Sequence, residues 1–343
     1  MVLLGWAVGL SGCDHREVTY LPVPKATSGV EEFPLCLNTA RQWHPAISGN
    51  IVAWVDYRNE PDIEAAIGNG DVYGYDLSTG EEFMVAGELW WEGDTAISGS
   101  TIVWLSEPVE SPPSIRGYDL NDEEEFLVCQ GEDCDGWGGQ PGISGNLVVF
   151  RRGSYGNWDI WGYDLSTGIK SSITRMEIYE FKPPPDHPSI GGHIIAWEDD
   201  RLDQKGFDIW GYDLSTGTEF PICTNQNPQW EPAVSDNGII VWEDERNDSM
   251  DIYGFDPSTG SEFPICTQPF TQSRPVISGN IVVWQDFRHG NWDIYGYDLS
   301  TGTEFPICIN PADQSDPAIS GNVVVWQDFR HGNWDIYGAI LSH

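Results

Sequence analysis

The chain predicts an all-β fold, a seven-bladed β-propeller of four-stranded antiparallel blades, and three observations carry this expectation. Seven short apolar segments each end in a large aromatic residue, at Trp54, Trp104, Phe150, Trp197, Trp242, Trp284 and Trp326, spaced 42 to 50 residues apart. A strand-built period of that size marks a radial array of small sheets. Within each period the letters read as four strands parted by three turns. Finally, the last unit lacks its fourth strand, and a copy of that strand stands ahead of the first unit.

The unit from Arg274 to Ile309 shows each element most plainly. Pro275-Val276-Ile277-Ser278 is a short strand, and Gly279-Asn280 supplies a glycine-containing hairpin turn. Ile281-Val282-Val283-Trp284 is apolar throughout, as expected of a strand covered on both faces by neighbouring blades. The charged loop Asp286 to Asn291 leads to a third strand, Trp292-Asp293-Ile294-Tyr295-Gly296-Tyr297. After the turn Ser300-Thr301-Gly302 comes Glu304-Phe305-Pro306-Ile307-Cys308, whose proline suits an outermost edge. The last unit stops at Tyr337-Gly338-Ala339-Ile340-Leu341, and Glu32-Phe33-Pro34-Leu35-Cys36 repeats the missing strand nearly letter for letter. The N-terminal strand is therefore expected to complete the last blade and close the ring, which removes free sheet edges.

Trp-x-Asp-x-Arg followed by Asp-Ile-Tyr-Gly-Tyr-Asp-Leu, as at Trp284–Arg288 and Asp293–Leu299, resembles the TolB-like propeller repeats. The resemblance covers roughly residues 31 to 343. It implies a bacterial or archaeal periplasmic or cell-surface propeller. Protein-docking propellers belong to that family, and related propellers include polysaccharide lyases or sit beside hydrolase domains.

The chain carries 54 acidic and 16 basic residues, a net charge of −38. Such a surface repels nucleic acid and anionic lipid. A solvated exterior, adaptation to salt and collection of divalent cations each account for it. No apolar run is long enough to span a bilayer as a mature helix. Val2 to Leu10 is a short apolar stretch followed by Leu10-Ser11-Gly12-Cys13, which resembles a lipoprotein signal with Cys13 as the lipidated residue, although no Lys or Arg precedes it. Residues 1–13 are read as that signal, 14–30 as a tether and 31–343 as the propeller. An extracytoplasmic location follows as the expectation, either lipid-anchored in the envelope or secreted.

Cys36, Cys129, Cys223, Cys266 and Cys308 recur at one repeat position and should stand far apart around the ring, as small buried residues. Cys134, five residues beyond Cys129, makes a local Cys129–Cys134 disulfide plausible.

Asp-x-Arg recurs at Asp56/Arg58, Asp199/Arg201, Asp244/Arg246, Asp286/Arg288 and Asp328/Arg330, each pair followed by an Asp that leads the third strand. An Arg between carboxylates can brace a loop. Five copies in seven blades read as architecture, because a catalytic site occurs once. A calcium loop is best approximated by Asp244 to Asp251, where Arg246 works against it. No metal site and no cofactor are expected, with Ca2+ kept as the alternative.

Function is expected where repeats disagree. The first-to-second and third-to-fourth turns share one face and are nearly uniform, whereas the second-to-third loops and blade connections vary on the other. The first blade inserts Asn59 to Gly70 there, the second carries Glu107 to Pro113, and the third has Arg151-Arg152 followed by Tyr155. The connections supply the candidate ligand-binding residues Trp43, His44, Trp137, His187, Trp230, Glu231, Arg274 and Asp316. Trp beside amides and carboxylates suits sugar stacking or protein docking, and equally the capping of spaces between blades. His44 and His187 could act in general acid–base work or metal binding, but they come from separate blades with no carboxylate partner evident in the sequence, which is the pattern of solvated loop histidines.

No Gly-x-Ser-x-Gly elbow, His-Glu-x-x-His motif or phosphate-cradling loop is present, so no catalytic residue is assigned. The leading expectation is a non-enzymatic binding or scaffold module for an envelope protein or polysaccharide. A carbohydrate-active enzyme at the channel mouth and a self-assembling surface-layer or filament subunit are the alternatives. A compact cluster of His, Arg or Tyr with carboxylates in one pocket distinguishes the enzyme from the binding module.

Overall fold

The computed structural model describes residues 29–59, 70–87, 91–107, 111–131, 134, 140–154, 157–174, 185–201 and 206–342. Cys13, Trp137, Tyr155 and most of the Asn59–Gly70 insertion lie outside these residues.

Seven four-stranded antiparallel sheets form a closed seven-bladed β-propeller. β1 (Val30–Cys36) precedes the first blade, β2–β5 (Gln42–Ser48, Ile51–Asp56, Asp71–Asp76, Glu81–Ala86). The second blade is β6–β9 (Trp91–Ser98, Thr101–Glu107, Ser114–Asp119, Glu124–Gln130) and the third is β10–β13 (Gly142–Ser144, Leu147–Ser154, Asn157–Asp164, Ile169–Ser172). The fourth is β14–β17 (Asp186–Gly191, Ile194–Asp199, Asp208–Asp213, Thr218–Cys223) and the fifth is β18–β21 (Gln229–Val234, Ile240–Asp244, Asp251–Asp256, Ser261–Cys266). The sixth is β22–β25 (Gln272–Ser278, Ile281–Asp286, Asp293–Asp298, Thr303–Cys308) and the seventh begins with β26–β28 (Gln314–Ser320, Val323–Asp328, Asp335–Leu341). The seventh blade has the order β1-β28-β27-β26, with Val30 opposite Leu341 and Phe33 opposite Gly338. The N-terminal strand closes the ring, as the displaced repeat requires.

The core lies between blades. Six of the seven strand-end aromatics are tryptophans, and all seven are fully buried. Ile281 and Val283 of the sixth blade pack with Val324 and Trp326 of the seventh in one cluster, and equivalent clusters recur around the ring. The glycine of the third strand has a packing role: a Cβ on Gly296 would stand 2.7 Å from the Phe305 ring, and one on Gly338 2.9 Å from Phe33. Each glycine leaves a slot for the fourth-strand phenylalanine to lie across its neighbour.

The uniform turn face has a physical cause. Ser48 Oγ accepts a 2.9 Å hydrogen bond from the Gly99 amide of the next blade, and Ser320 Oγ accepts one of the same length from Gly49 across the closure. These glycines have positive φ, 59° and 57°. The Ser-Gly pair therefore carries both the hairpin and a blade-to-blade link.

The Trp-x-Asp-x-Arg motif resolves into a buried bracket in each of the five blades that carry it. Asp286 Oδ2 accepts from Trp284 Nε1 at 3.0 Å and from the Arg288 guanidinium at 2.6 Å, while Oδ1 accepts the Arg288 amide at 2.9 Å. Arg288 also pairs with Glu304 of the fourth strand at 2.6 Å and lies 4.2 Å over the Tyr295 ring. The second carboxylate of the bracket is thus a fourth-strand glutamate, not the third-strand aspartate. That aspartate, Asp293, holds its own loop through His289 Nδ1 and Asn291. In the second blade Ser106 replaces the bracket aspartate, and the buried Trp104 Nε1 finds no hydrogen-bond partner among the described residues.

Cys36, Cys223, Cys266 and Cys308 form no disulfide and lie buried beside these brackets, with Arg288 2.6 Å from Asp286 and 3.3 Å from Cys266 Sγ. Burial pushes the Cys266 thiol up to about 12, an unreactive state. Cys129 and Cys134 form a disulfide, with Cα atoms 5.6 Å apart.

Candidate functional site

The innermost strands β2, β6, β10, β14, β18, β22 and β26 surround the central channel. Near its loop-face end six of them, and the connection ahead of β10, each contribute one polar residue to a ring: His44, Asp94, Gln140, His187, Glu231, Arg274 and Asp316. Basic and acidic members alternate, with Gln140 the neutral one between Asp94 and His187. The ring opens a cavity of about 350 Å³, and below it the wall becomes apolar, with Pro45, Ala46, Pro232, Ala233, Pro317 and Ala318 among its residues.

The backbone aims these side chains. His44, Asp94, His187, Glu231, Arg274 and Asp316 all have φ between 45° and 56°. At each of them the pairing with the second strand shifts register, for instance between Trp43 and Ala46 and between Ser315 and Ala318. Such bulges bend the strand and re-aim a side chain. The following proline, present in six of the seven blades, has no amide to leave unpaired there. A left-handed backbone costs energy at residues other than glycine, and its repetition marks a position held by its surroundings.

Those surroundings come from the residue inside Trp-x-Asp. Glu198 Oε1 accepts the Glu231 amide at 2.7 Å, Glu243 Oε1 the Arg274 amide at 2.6 Å, and Gln285 Oε1 the Asp316 amide at 3.0 Å. Each clamp reaches from one blade to the ring residue of the next. In blades one and two the same position is Val55 and Leu105, so the buried polar framework is confined to the later blades.

Ion pairs join the ring members. His44 Nδ1 lies 3.1 Å from Asp316 and 3.8 Å from Asp94, and Arg274 pairs with Asp316. His187 lies 3.0 Å from Glu198 through Nδ1 and 3.5 Å from Glu231 through Nε2. Arg151 binds Asp186 at 2.7 Å just outside the ring. Burial opposes the charge on His187, but Glu198, Glu231 and Asp186 together push its pKa up to about 10. Burial raises Glu231, and it pushes Glu243 up to about 7 against the stabilising Arg274 amide. For Asp316 burial is outweighed by His44 and Arg274, which hold it at about 2.

His44 rises above its ordinary value of 6.5 because the contact and charge of Asp316, with Asp94, outweigh burial and the repulsion of Arg274. A raised histidine pKa contributes stability that is complete below about pH 6.5 and fades as pH rises through the folded-state value. The depressed Asp316 contributes above about pH 4 and fades towards pH 2. His44→Gln is therefore expected to lower stability most between about pH 4 and 6.5. Urea unfolding of both proteins from pH 3 to 10 checks this, and a gap that does not vary with pH contradicts it.

Of the sequence-assigned residues, His44, His187, Glu231, Arg274 and Asp316 meet in one cavity wall, and the two histidines have carboxylate partners that the sequence did not reveal. Trp43 and Trp230 stand beside the ring outside that wall. Trp43 packs edge-on against Tyr57 at 5.7 Å beneath Arg41, and Trp230 packs on Phe207 at 4.8 Å. Asp94, Gln140, Glu198 and Glu243 were not singled out. The signals for them were the repeat position that immediately precedes the strand-one proline, a proline that Thr95 replaces after Asp94, and the variable letter of Trp-x-Asp.

No protein-family model matches the chain, and no curated protein matches it. Solved structures do. The β-propeller domain of the trilobed protease from Pyrococcus furiosus is 14% identical over 88% of this chain and 93% of its own, with a TM-score of 0.65. Oligogalacturonate lyase from Vibrio parahaemolyticus is 12% identical over 92% of this chain and 95% of its own, also at 0.65. TolB from Acinetobacter baumannii is 18% identical over 82% of this chain and 78% of its own, at 0.52. Identities this low establish a shared fold and leave activity to the site itself. The chain has a TolB-like seven-bladed propeller fold, on a scaffold that enzymes also use.

Proposed function

We propose that this propeller is an extracytoplasmic binding module that takes a polyhydroxylated ligand, such as the end of an envelope polysaccharide, at the charged mouth of its channel. The observation that carries the reading is the ring of alternating basic and acidic residues held at fixed backbone geometry over one cavity. Alternating donors and acceptors suit hydroxyl groups, each of which both donates and accepts. A volume of about 350 Å³ lies within the range of small-ligand pockets. The Cys129–Cys134 disulfide supports an oxidising compartment. No helix among the described residues is long and apolar enough to cross a membrane, and membrane attachment through Cys13 rests on the sequence motif alone.

One observation favours an enzymatic reading as well. Two histidines, an arginine and several carboxylates share this single pocket, the arrangement that separates a carbohydrate-active enzyme from a broad docking surface. A glycan and envelope-protein array probed with the wild-type protein and with Arg274→Ala, Asp316→Asn, Trp43→Ala and Trp230→Ala tests the site. Arg274→Ala and Asp316→Asn are expected to weaken binding at least about tenfold, because each removes a ring charge and the Arg274–Asp316 ion pair. Unchanged binding by both ring variants would sink the channel-mouth assignment. Prolonged incubation of any bound glycan, assayed for new chain ends, decides between binding and cleavage.

A further inference from the structure

Three side chains converge on the side of the channel shared by the fourth and fifth blades. His187 comes from β14, Glu198 from β15 and Glu231 from β18, and one ligand atom from each lies within 4.8 Å of the others. Glu198 is almost fully buried, at 1% exposure, whereas Glu231 is the solvent-facing member. His187 Nδ1 is shut off from solvent, and the group that faces it is Glu198 Oε1, 3.0 Å away, the same atom that clamps the Glu231 amide.

We propose that His187, Glu198 and Glu231 form a site for one divalent transition-metal cation of the zinc or manganese class. An imidazole nitrogen with two carboxylate oxygens suits such borderline ions and disfavours copper(I) or an all-oxygen calcium cage. Nδ1 and Glu198 Oε1, 3.0 Å apart, form an edge that an ion bound at about 2.1 Å from each would span. Glu231 closes the set from the solvent side by a side-chain rotation. Its backbone amide already anchors Glu198 at 2.7 Å, the kind of outer hydrogen bond that orients a ligating carboxylate. Two carboxylates facing one imidazole make a place for a single compact positive charge. The remaining coordination positions face the cavity, where water or a ligand oxygen can reach them. The site shares His187 and Glu231 with the channel mouth, and titration with the metal alone tests it whether or not the mouth binds a glycan.

The test uses the full chain, stripped with chelator, desalted and titrated with Co2+ in 0.15 M salt, with Zn2+ as competitor. The visible absorption of Co2+ reports ligation by nitrogen and carboxylate together, and the salt suppresses loose association with the acidic exterior. One equivalent is expected to bind and to be displaced by Zn2+. His187→Ala should abolish the absorption band, and Glu231→Gln should weaken binding at least about tenfold. His289→Ala, on the sixth blade, should bind as wild type does. Thermal unfolding without metal confirms that each variant is folded, and Glu231→Gln, altered at a partly exposed side chain, serves if His187→Ala is not. Absence of a one-to-one Co2+ band in the wild-type protein overturns the proposal. So does a band that survives both substitutions.

Discussion

A chain that begins at residue 37 is expected to lose cooperative unfolding and to aggregate, whereas one that begins at residue 29 unfolds as the full protein does. The difference between them is β1. It contributes Phe33, Leu35 and Cys36, all buried, and fills the slot over Gly338. Burying each large apolar side chain is worth about 1.5–3 kcal/mol, so the strand carries several kcal/mol of a total that is typically about 5–15 kcal/mol. Its loss also bares the β28 edge, a template for pairing with other chains. Phe33→Ala alone should cost about 3 kcal/mol. Size-exclusion chromatography and thermal unfolding of the two truncations check the prediction, and a monomeric chain from residue 37 with an unchanged midpoint would falsify it.

Asp286→Ala is the second substitution with a large expected effect. Asp286 has no exposed surface and accepts hydrogen bonds from Trp284 Nε1, the Arg288 amide and the Arg288 guanidinium. Removing it strands an indole N–H and part of a guanidinium in the interior, and breaking a buried pair in this way costs about 3–5 kcal/mol. Glu304→Gln touches the same arginine from the outer strand, where the glutamate is 26% exposed. It should cost about 1 kcal/mol or less. Urea unfolding of the two variants side by side measures the contrast. Equal losses would mean that the bracket is not organised around the buried aspartate.

The two substitutions also show how far letters alone reach. The displaced Glu32–Cys36 strand was legible because a repeat with a missing member declares where the member belongs. The role of Asp286 with Arg288 was legible as architecture because the pair recurs in five blades, but the second carboxylate of the arginine was misjudged. The aspartate that follows in sequence, Asp293, lies on the adjacent strand, yet the arginine reaches Glu304 two strands out. Strand alternation and the slot above Gly296 bring that side chain to it. Sequence spacing carries no such information.

The channel mouth divides in the same manner. His44, His187, Glu231, Arg274 and Asp316 stood out because they interrupt a uniform repeat on the variable face. Trp43 and Trp230 stood out for their chemistry, and the fold turns both towards neighbouring aromatic residues beside the cavity. Glu198 and Glu243 escaped notice because one polar letter between Trp and Asp resembles any strand residue. Only ring closure places each of them under the backbone amide of the next blade.

The sequence by itself determined the blade count, the four-strand unit, the closing strand and the face where variation concentrates. All of these follow from periodicity, turn chemistry and alternation, which are local properties of the chain. The tertiary structure alone decided which polar side chains meet, because residues some 45 positions apart become neighbours only when the blades close around a common axis. Alternation of charge around the channel is a property of that circle. No linear stretch of the chain contains it.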